Sequence, residues 1–310
     1  MSTSRVNVVI ATTEMQSLSS NAHKFQRYKN FEKTKKVSKK HQKTEQTIKD
    51  LQNCSVGFAP TGTFLPPVGL VSFPGCGNTW TRHLIEISTG VFTGSIYHDV
   101  NIQKSGMIGE WSPLLDGRTL TIKSHWSKSS NATKLKASTK NCIFLIRNPR
   151  DAILSELNFE LGGFDHTKRI DFEKEIRDKR FRFKTKLKYM MLAKNYWNTY
   201  QGYLKSCYKE GNVEDGIFKL EYERLKEKPL KYTLKIKNWL NSVYPGRIPD
   251  RKECLKDSEG DFHRQNKKDI DYSWIVNKLL AASDLRVLDG LKGQLLNNSY
   301  ITFPENYKFY

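Results

Sequence analysis

The sequence predicts an α/β fold, a three-layer sandwich in which helices cover a central parallel sheet. Three observations predict it. From Val68 onward, apolar runs of strand length alternate with amphipathic stretches of helix length. One run, Ile143-Phe144-Leu145-Ile146, is apolar throughout, as expected of a strand buried on both faces. A small glycine-rich turn, Pro74-Gly75-Cys76-Gly77, joins the first strand to the first helix, a P-loop-like arrangement by which α/β proteins hold phosphate.

In chain order, residues 1–55 read as a basic tail, disordered or loosely helical. The first fifty residues carry eleven Lys and Arg against four acidic residues, and the stretch from Lys24 to Lys49 shows no core periodicity. Residues 56–67, with Pro60, Gly62, Pro66 and Pro67, read as a linker. The folded domain is expected over 68–310. Strands are expected at 68–73, 118–124, 141–147 and 216–221. Helices are expected at 79–89, 149–160, about 172 to 208, and 223–242. The long helix carries a stripe of Leu187, Tyr189, Met190, Tyr196, Trp197, Tyr200 and Leu204, which reads as core packing.

Composition narrows the classes. The chain has 310 residues, enough for one large domain or two small ones, and 37% of them are hydrophobic. Mean hydropathy is −0.63. No stretch approaches the ~20 apolar residues of a membrane span, and no signal peptide is visible at the N-terminus. The formal charge of +20, only +7 of it in residues 1–50, favours an anionic ligand, an anionic acceptor or nucleic acid. The five cysteines contain no CxxC pair, which argues against zinc; they leave one or two disulfides open. Sequons at Asn53, Asn131 and Asn297 lean slightly towards a secretory route.

The chemistry-bearing runs all fall at the carboxyl ends of the expected strands, where ligands bind in open α/β sheets. The first is Pro74, Gly75, Cys76, Gly77, Asn78, Thr79 and Trp80. Its glycines allow close backbone approach to an anion, and the helix N-terminus that follows faces that anion. It lacks the Gly-Lys-Ser/Thr ending of an ATP loop. The second delivers Lys123 and His125 two residues apart on a strand, hence from one face, as a candidate charge donor and general base. The third places Arg147 at the end of a buried strand and Ser155 on the helix that Pro149 opens, a pair able to hold a second phosphate. In the fourth, Tyr222 stands at a strand-to-helix junction and can meet a base or ribose. The fifth, Phe262-His263-Arg264, lies in a basic loop able to close over an anion. Each run has a plain structural reading as a strand end, a helix start or a solvated loop.

Together these runs resemble the sulfotransferases that use 3′-phosphoadenosine 5′-phosphosulfate (PAPS). Ser72 to Trp80 is similar to the family's 5′-phosphosulfate loop, and Arg147 to Ser155 to its 3′-phosphate motif. Lys123-Ser124-His125 is similar to its Lys-x-His element. Tyr222-Glu223 with Pro229 resembles its adenosine-side segment, and Phe262-His263-Arg264 its late 3′-phosphate loop. The wording Phe-Pro-Gly-x-Gly-Asn-Thr-Trp, followed by Arg82-His83-Leu84-Ile85-Glu86, is most similar to the sulfotransferase domain of WSC-domain-containing proteins. The resemblance implies the sulfotransferase fold and PAPS as co-substrate without a metal. It also implies a hydroxyl-bearing acceptor, carbohydrate in kind, and a Golgi or secretory setting, with the cytoplasm as the alternative. In its terms His125 is the base and Lys123 its charge partner. Arg147, Ser155 and Arg264 grip the 3′-phosphate, and Trp80 and Tyr222 flank the adenine.

The chain departs from the wider family at Gly75, where a lysine is usual, and the WSC-type proteins share that glycine. Arg82 or Lys123 is the expected substitute for the missing charge. Five scattered cysteines cannot build the WSC modules themselves. A nucleotide-binding protein without catalysis remains an alternative, motivated by Gly75. A basic nucleic-acid-binding protein, motivated by the charge alone, ranks last.

Overall fold

The computed structural model describes residues 54–125, 129–163, 170–207, 216–249, 251, 254–255, 273–297 and 301–310. Valines and leucines place Val68–Ser72 (β1) at the centre of the sheet, buried at every position. β1 pairs in parallel with Ile122–Ser124 (β3) on one side and Asn141–Ile146 (β4) on the other. Gly94–Ser95 (β2) extends the β3 side and Ile217–Glu221 (β5) the β4 side, giving the order β2-β3-β1-β4-β5, all parallel. Register aligns Leu70 with Lys123 and with Ile143, so the strand ends carrying the site residues lie level.

Helices cover both faces. Asn78–Thr89 (α1) packs against Pro229–Val243 (α8), which also meets β5. Lys179–Cys207 (α6) lies on β1 and β4 and packs against Ser130–Ser138 (α3), Pro149–Leu161 (α4), Ser273–Leu279 (α9) and Ala282–Leu296 (α10). The expected α/β sandwich with a central parallel sheet is therefore present.

Several elements differ from the expectation, each for a local reason. The strand expected at 118–124 keeps only three residues; before it, Arg118 and Leu120 pair with loop backbone at Ala59 and Phe92 instead. The long helix expected from 172 divides into Phe172–Glu175 (α5) and α6, because Asp171 and Asp178 each cap a new first turn. The helix expected at 223–242 divides into Tyr222–Glu227 (α7) and α8 at Pro229, which has no N–H to continue the ladder. The short helix Val100–Lys104 (α2) and the 3₁₀ turn Ile108–Trp111 lie in a stretch with no expected element.

The segment read as a linker is packed. Ala59 and Leu65 are buried, Gly57 bridges to Val91, and the Tyr244 hydroxyl donates to the Pro66 carbonyl at 2.5 Å. Residues 301–310 are packed too: Ile301, Phe303, Tyr307 and Phe309 are buried, and Arg150 N donates to the Lys308 carbonyl at 2.8 Å. Cys54–Cys254 and Cys142–Cys207 form disulfides, leaving Cys76 as a buried free thiol.

Candidate active site

The β1–α1 turn is shaped by two left-handed glycines. Gly75 has φ +78° and Gly77, the N-cap of α1, has φ +85°. No side chain caps α1, so its first-turn amides, those of Asn78 and Thr79 among them, are oriented by the helix towards the concavity of the turn. Asn78 ties the turn to its strand, its amide donating to the Ser72 hydroxyl at 3.0 Å and the Leu70 carbonyl at 3.3 Å. A β-carbon on Gly75 would stand 2.4 Å from the Ala152 carbonyl oxygen and 3.1 Å from the Ser155 β-carbon. No lysine fits there, so the glycine is a packing requirement of this loop against α4.

The expected partners converge on the turn. The Arg147 guanidinium donates to the Gly75 carbonyl at 2.5 Å and stacks 4.6 Å above the Tyr222 ring. The same ring lies against Gly77, where an added β-carbon would be 2.5 Å from its Cε2. Ser155 flanks Gly75 from α4. Arg147, Ser155, Tyr222 and the glycine turn thus form one constellation.

At the neighbouring strand end, His125 Nδ1 lies 2.7 Å from the Ser72 carbonyl. A carbonyl only accepts, so Nδ1 carries the proton and Nε2 keeps its lone pair. Burial and then the Lys123 ammonium pull the His125 imidazole down to about 3, so the ring is neutral at physiological pH. Lys123 is only 8% exposed. Among the described residues its ammonium has no ion pair or hydrogen bond; the Tyr97 ring lies 5.6 Å away, and the carboxylates of Glu110, Asp99 and Glu156 pull on it without pairing. Burial, then the Arg82 charge, lower Lys123 to about 8. Between them, Ser124 points the other way and accepts from the Tyr203 hydroxyl at 2.6 Å.

Some expectations are corrected. Trp80 is buried, its ring in a T-shaped contact with that of Tyr222 at 6.1 Å. The Cys76 thiol points into the core beside Tyr200, and burial pushes it up to about 12; only its backbone faces the turn. Pro74 and Thr79 are half-buried in the turn and the first helical turn. Arg82 cannot replace the missing lysine. It is fully buried, paired with Glu110, and donates to the Thr93 hydroxyl at 2.7 Å and carbonyl at 2.9 Å. Phe262, His263 and Arg264 lie outside the described residues.

Other contributors were not read from the sequence. The Tyr200 hydroxyl donates to the Leu145 carbonyl at 2.9 Å and accepts from Phe73 N at 3.2 Å. The Tyr196 hydroxyl donates to the Arg147 carbonyl. With Tyr203, spacings of four and three put these hydroxyls on one face of α6, each holding a strand end that carries site residues. Glu223 accepts from Asn148 N at 2.9 Å and the Tyr307 hydroxyl at 2.8 Å, locking the Arg147 turn to α7. Tyr97 stacks on His125 at 5.5 Å and accepts from its backbone N–H at 2.9 Å. Glu156, one residue past Ser155, is pushed up to about 7 by burial and then Glu160, against the pull of Lys123. Among the described residues no group of His, Cys, Asp and Glu is arranged to hold a metal ion.

The family model for the sulfotransferase domain matches residues 65–257. WSCD family members of Aedes aegypti and Drosophila melanogaster are 44% and 41% identical to this chain over 95 residues, 30% of the chain. That stretch spans only 28% of the length of each relative. Among solved structures, mouse sulfotransferase SULT7A1 complexed with PAP aligns with TM-score 0.42 and 12% identity, over 78% of this chain and 87% of that one. A sulfotransferase from Alicyclobacillus acidocaldarius aligns with TM-score 0.38 and 14% identity, over 73% and 95%.

Proposed function

The chain belongs to the sulfotransferase domain family, and on that premise we propose that it transfers a sulfuryl group from PAPS to a hydroxyl of a carbohydrate acceptor. The observation that carries the reading is the unpartnered, buried Lys123 ammonium beside a neutral His125 whose Nε2 is unprotonated. Glu110, Asp99 and Glu156 act on this ammonium without forming an ion pair with it, and a buried cation that no carboxylate touches fits an anion brought by a ligand.

PAPS would supply the sulfuryl group and leave as the 3′,5′-bisphosphate. The turn 74–80 would hold the phosphosulfate through its backbone amides. Lys123 would offset the charge that grows on the 5′-phosphate, the task Gly75 cannot perform. Arg147 and Ser155 would grip the 3′-phosphate, and Tyr222 would offer its ring to the adenine. His125 Nε2 would accept the acceptor's hydroxyl proton. Two disulfides among the described residues favour an oxidising compartment, in keeping with a secretory setting.

The test is transfer of labelled sulfate from PAPS to a panel of glycans, phenols and peptides, with His125→Ala and Arg147→Ala alongside. His125→Ala should abolish transfer yet bind PAP normally, whereas Arg147→Ala should weaken PAP binding about 10- to 100-fold. PAP binding with no transfer by the wild type to any acceptor would establish the non-catalytic alternative.

A further inference from the structure

Beside the Lys123–His125 pair stands a wall of aromatic and aliphatic side chains that the fold leaves open. Tyr97 is 40% exposed and Trp111 49%, with Val100 and Ile108 also exposed. His98 joins them: its ring stacks on Trp111 at 5.4 Å, and its own neighbour Tyr97 stacks on His125. Among the described residues His98 is the only non-glycine with positive φ, at 53°, and its Nε2 is buried without a hydrogen-bond partner. Backbone strain and an orphaned polar atom coincide behind an exposed indole, a pairing typical of functional surfaces.

The wall is fixed, not a loose loop. Asp99 caps α2 by accepting from Asn101 N at 2.8 Å, and Asp99 N donates to Glu110. Glu110, next to Trp111, pairs with Arg82 on α1. The helix that begins at the glycine turn therefore sets the position of Trp111.

We propose that Tyr97 and Trp111 are the stacking surface for a sugar ring of the acceptor, holding it while its hydroxyl reaches His125. This rests on the carbohydrate reading above and deepens it. A site for a small phenol would enclose its ligand in an apolar pocket. Here the rings are about half exposed and lie in the open, which suits an extended, polar chain whose C–H faces pack on aromatic rings while its hydroxyls stay in water.

The experiment uses the full chain loaded with PAP and saturation-transfer NMR. Its probes are N-glycans released from serum glycoproteins and desulfated glycosaminoglycan oligosaccharides. The wild type should saturate ring protons of at least one probe. Trp111→Ala should weaken that binding about tenfold, Trp111→Phe should retain most of it, and PAP affinity should be unchanged in both. No saturation of any probe by the wild type, or equal binding by Trp111→Ala, overturns the proposal. A fall in Tm on Trp111→Ala, or a wild-type dimer that the substitution dissolves, assigns the wall to packing and also overturns it. Labelled transfer to the same probes separates the two readings. Trp111-dependent binding without transfer defeats the enzymatic reading and leaves the wall standing; transfer undiminished in Trp111→Ala does the reverse.

Discussion

Replacing Tyr200 by Phe removes one oxygen from the middle of the site and leaves its ring contacts in place. The ring packs against Phe144 at 5.7 Å, Tyr196 at 5.7 Å and Phe303 at 6.0 Å, and Phe keeps all three. The lost hydroxyl accepts from Phe73 N and donates to the Leu145 carbonyl, both buried. Leu145 sits in a strand with neighbours on both sides, so its carbonyl is not stranded; the Phe73 amide is. A buried group deprived of its partner costs about 1–3 kcal/mol. About 2 kcal/mol is therefore expected, a fall in Tm of roughly 4–8 °C for a domain of this size. Phe73 opens the glycine turn, so PAP affinity should fall as well. Tyr203→Phe is the control: its partner, the Ser124 hydroxyl, already lies 3.1 Å from the His125 carbonyl and is satisfied there, so the cost should stay below about 1 kcal/mol. Urea unfolding with an unchanged m-value measures both. A loss below about 0.5 kcal/mol for Tyr200→Phe, or a larger loss for Tyr203→Phe, would refute the assignment of the hydroxyl as the anchor of the turn.

Four further outcomes follow from the structure. With Lys123 lowered to about 8, kcat/KM for PAPS should decline as pH rises through that value, and Lys123→Arg should lack the decline; a profile flat to pH 10 would count against Lys123 as the charge donor. Because the folded-state pKa of Lys123 lies below its ordinary 10.5, the unfolded chain binds more protons between about 8 and 10.5. Stability should therefore rise with pH across that window, and Lys123→Met should abolish the rise. Gly75→Ala should destabilise the protein by more than about 1 kcal/mol, from its positive φ and the Ala152 oxygen in its way, and Gly75→Lys should not raise the transfer rate. Alkylation of the unfolded, unreduced protein should label one thiol, Cys76, and reduction should raise the count to five; more than one label before reduction would deny the disulfides and the oxidising compartment inferred from them.

β1 and β4 were legible because a parallel sheet buries both faces, which makes such strands near-continuous apolar runs, and β3 and β5, each interrupted by a lysine, from their alternation with helix-length stretches. β2 was not, since two residues have no periodicity to read. The constellation of the glycine turn, Arg147, Ser155 and Tyr222 was legible because strand ends in such sheets gather at one edge. What periodicity conceals is where a polar atom on a buried face reaches. The stripe on α6 found most of the buried side of the helix but wrongly included Leu187, which is 54% exposed, and nothing in it distinguishes Tyr200, whose hydroxyl anchors two strand ends, from Leu204, which only fills space. Likewise Arg82 looked available beside the turn, because its partner Glu110 lies far along the chain in a stretch with no pattern of its own. Gly75 was visible as a glycine the turn needs; that α4 blocks any side chain there was visible only once Ala152 stood opposite it.

The buried pair of Arg82 and Glu110 also limits how this domain can be re-engineered. Exchanging the segment around Trp111 for one from another protein, in order to change the acceptor, would strand a fully desolvated guanidinium in α1 unless the incoming segment brought a carboxylate to the same place. The segment around Trp111 and the helix that follows the glycine turn are therefore not separable modules. A successful graft has to be selected first for that one ionic fit, and only then for the surface it presents.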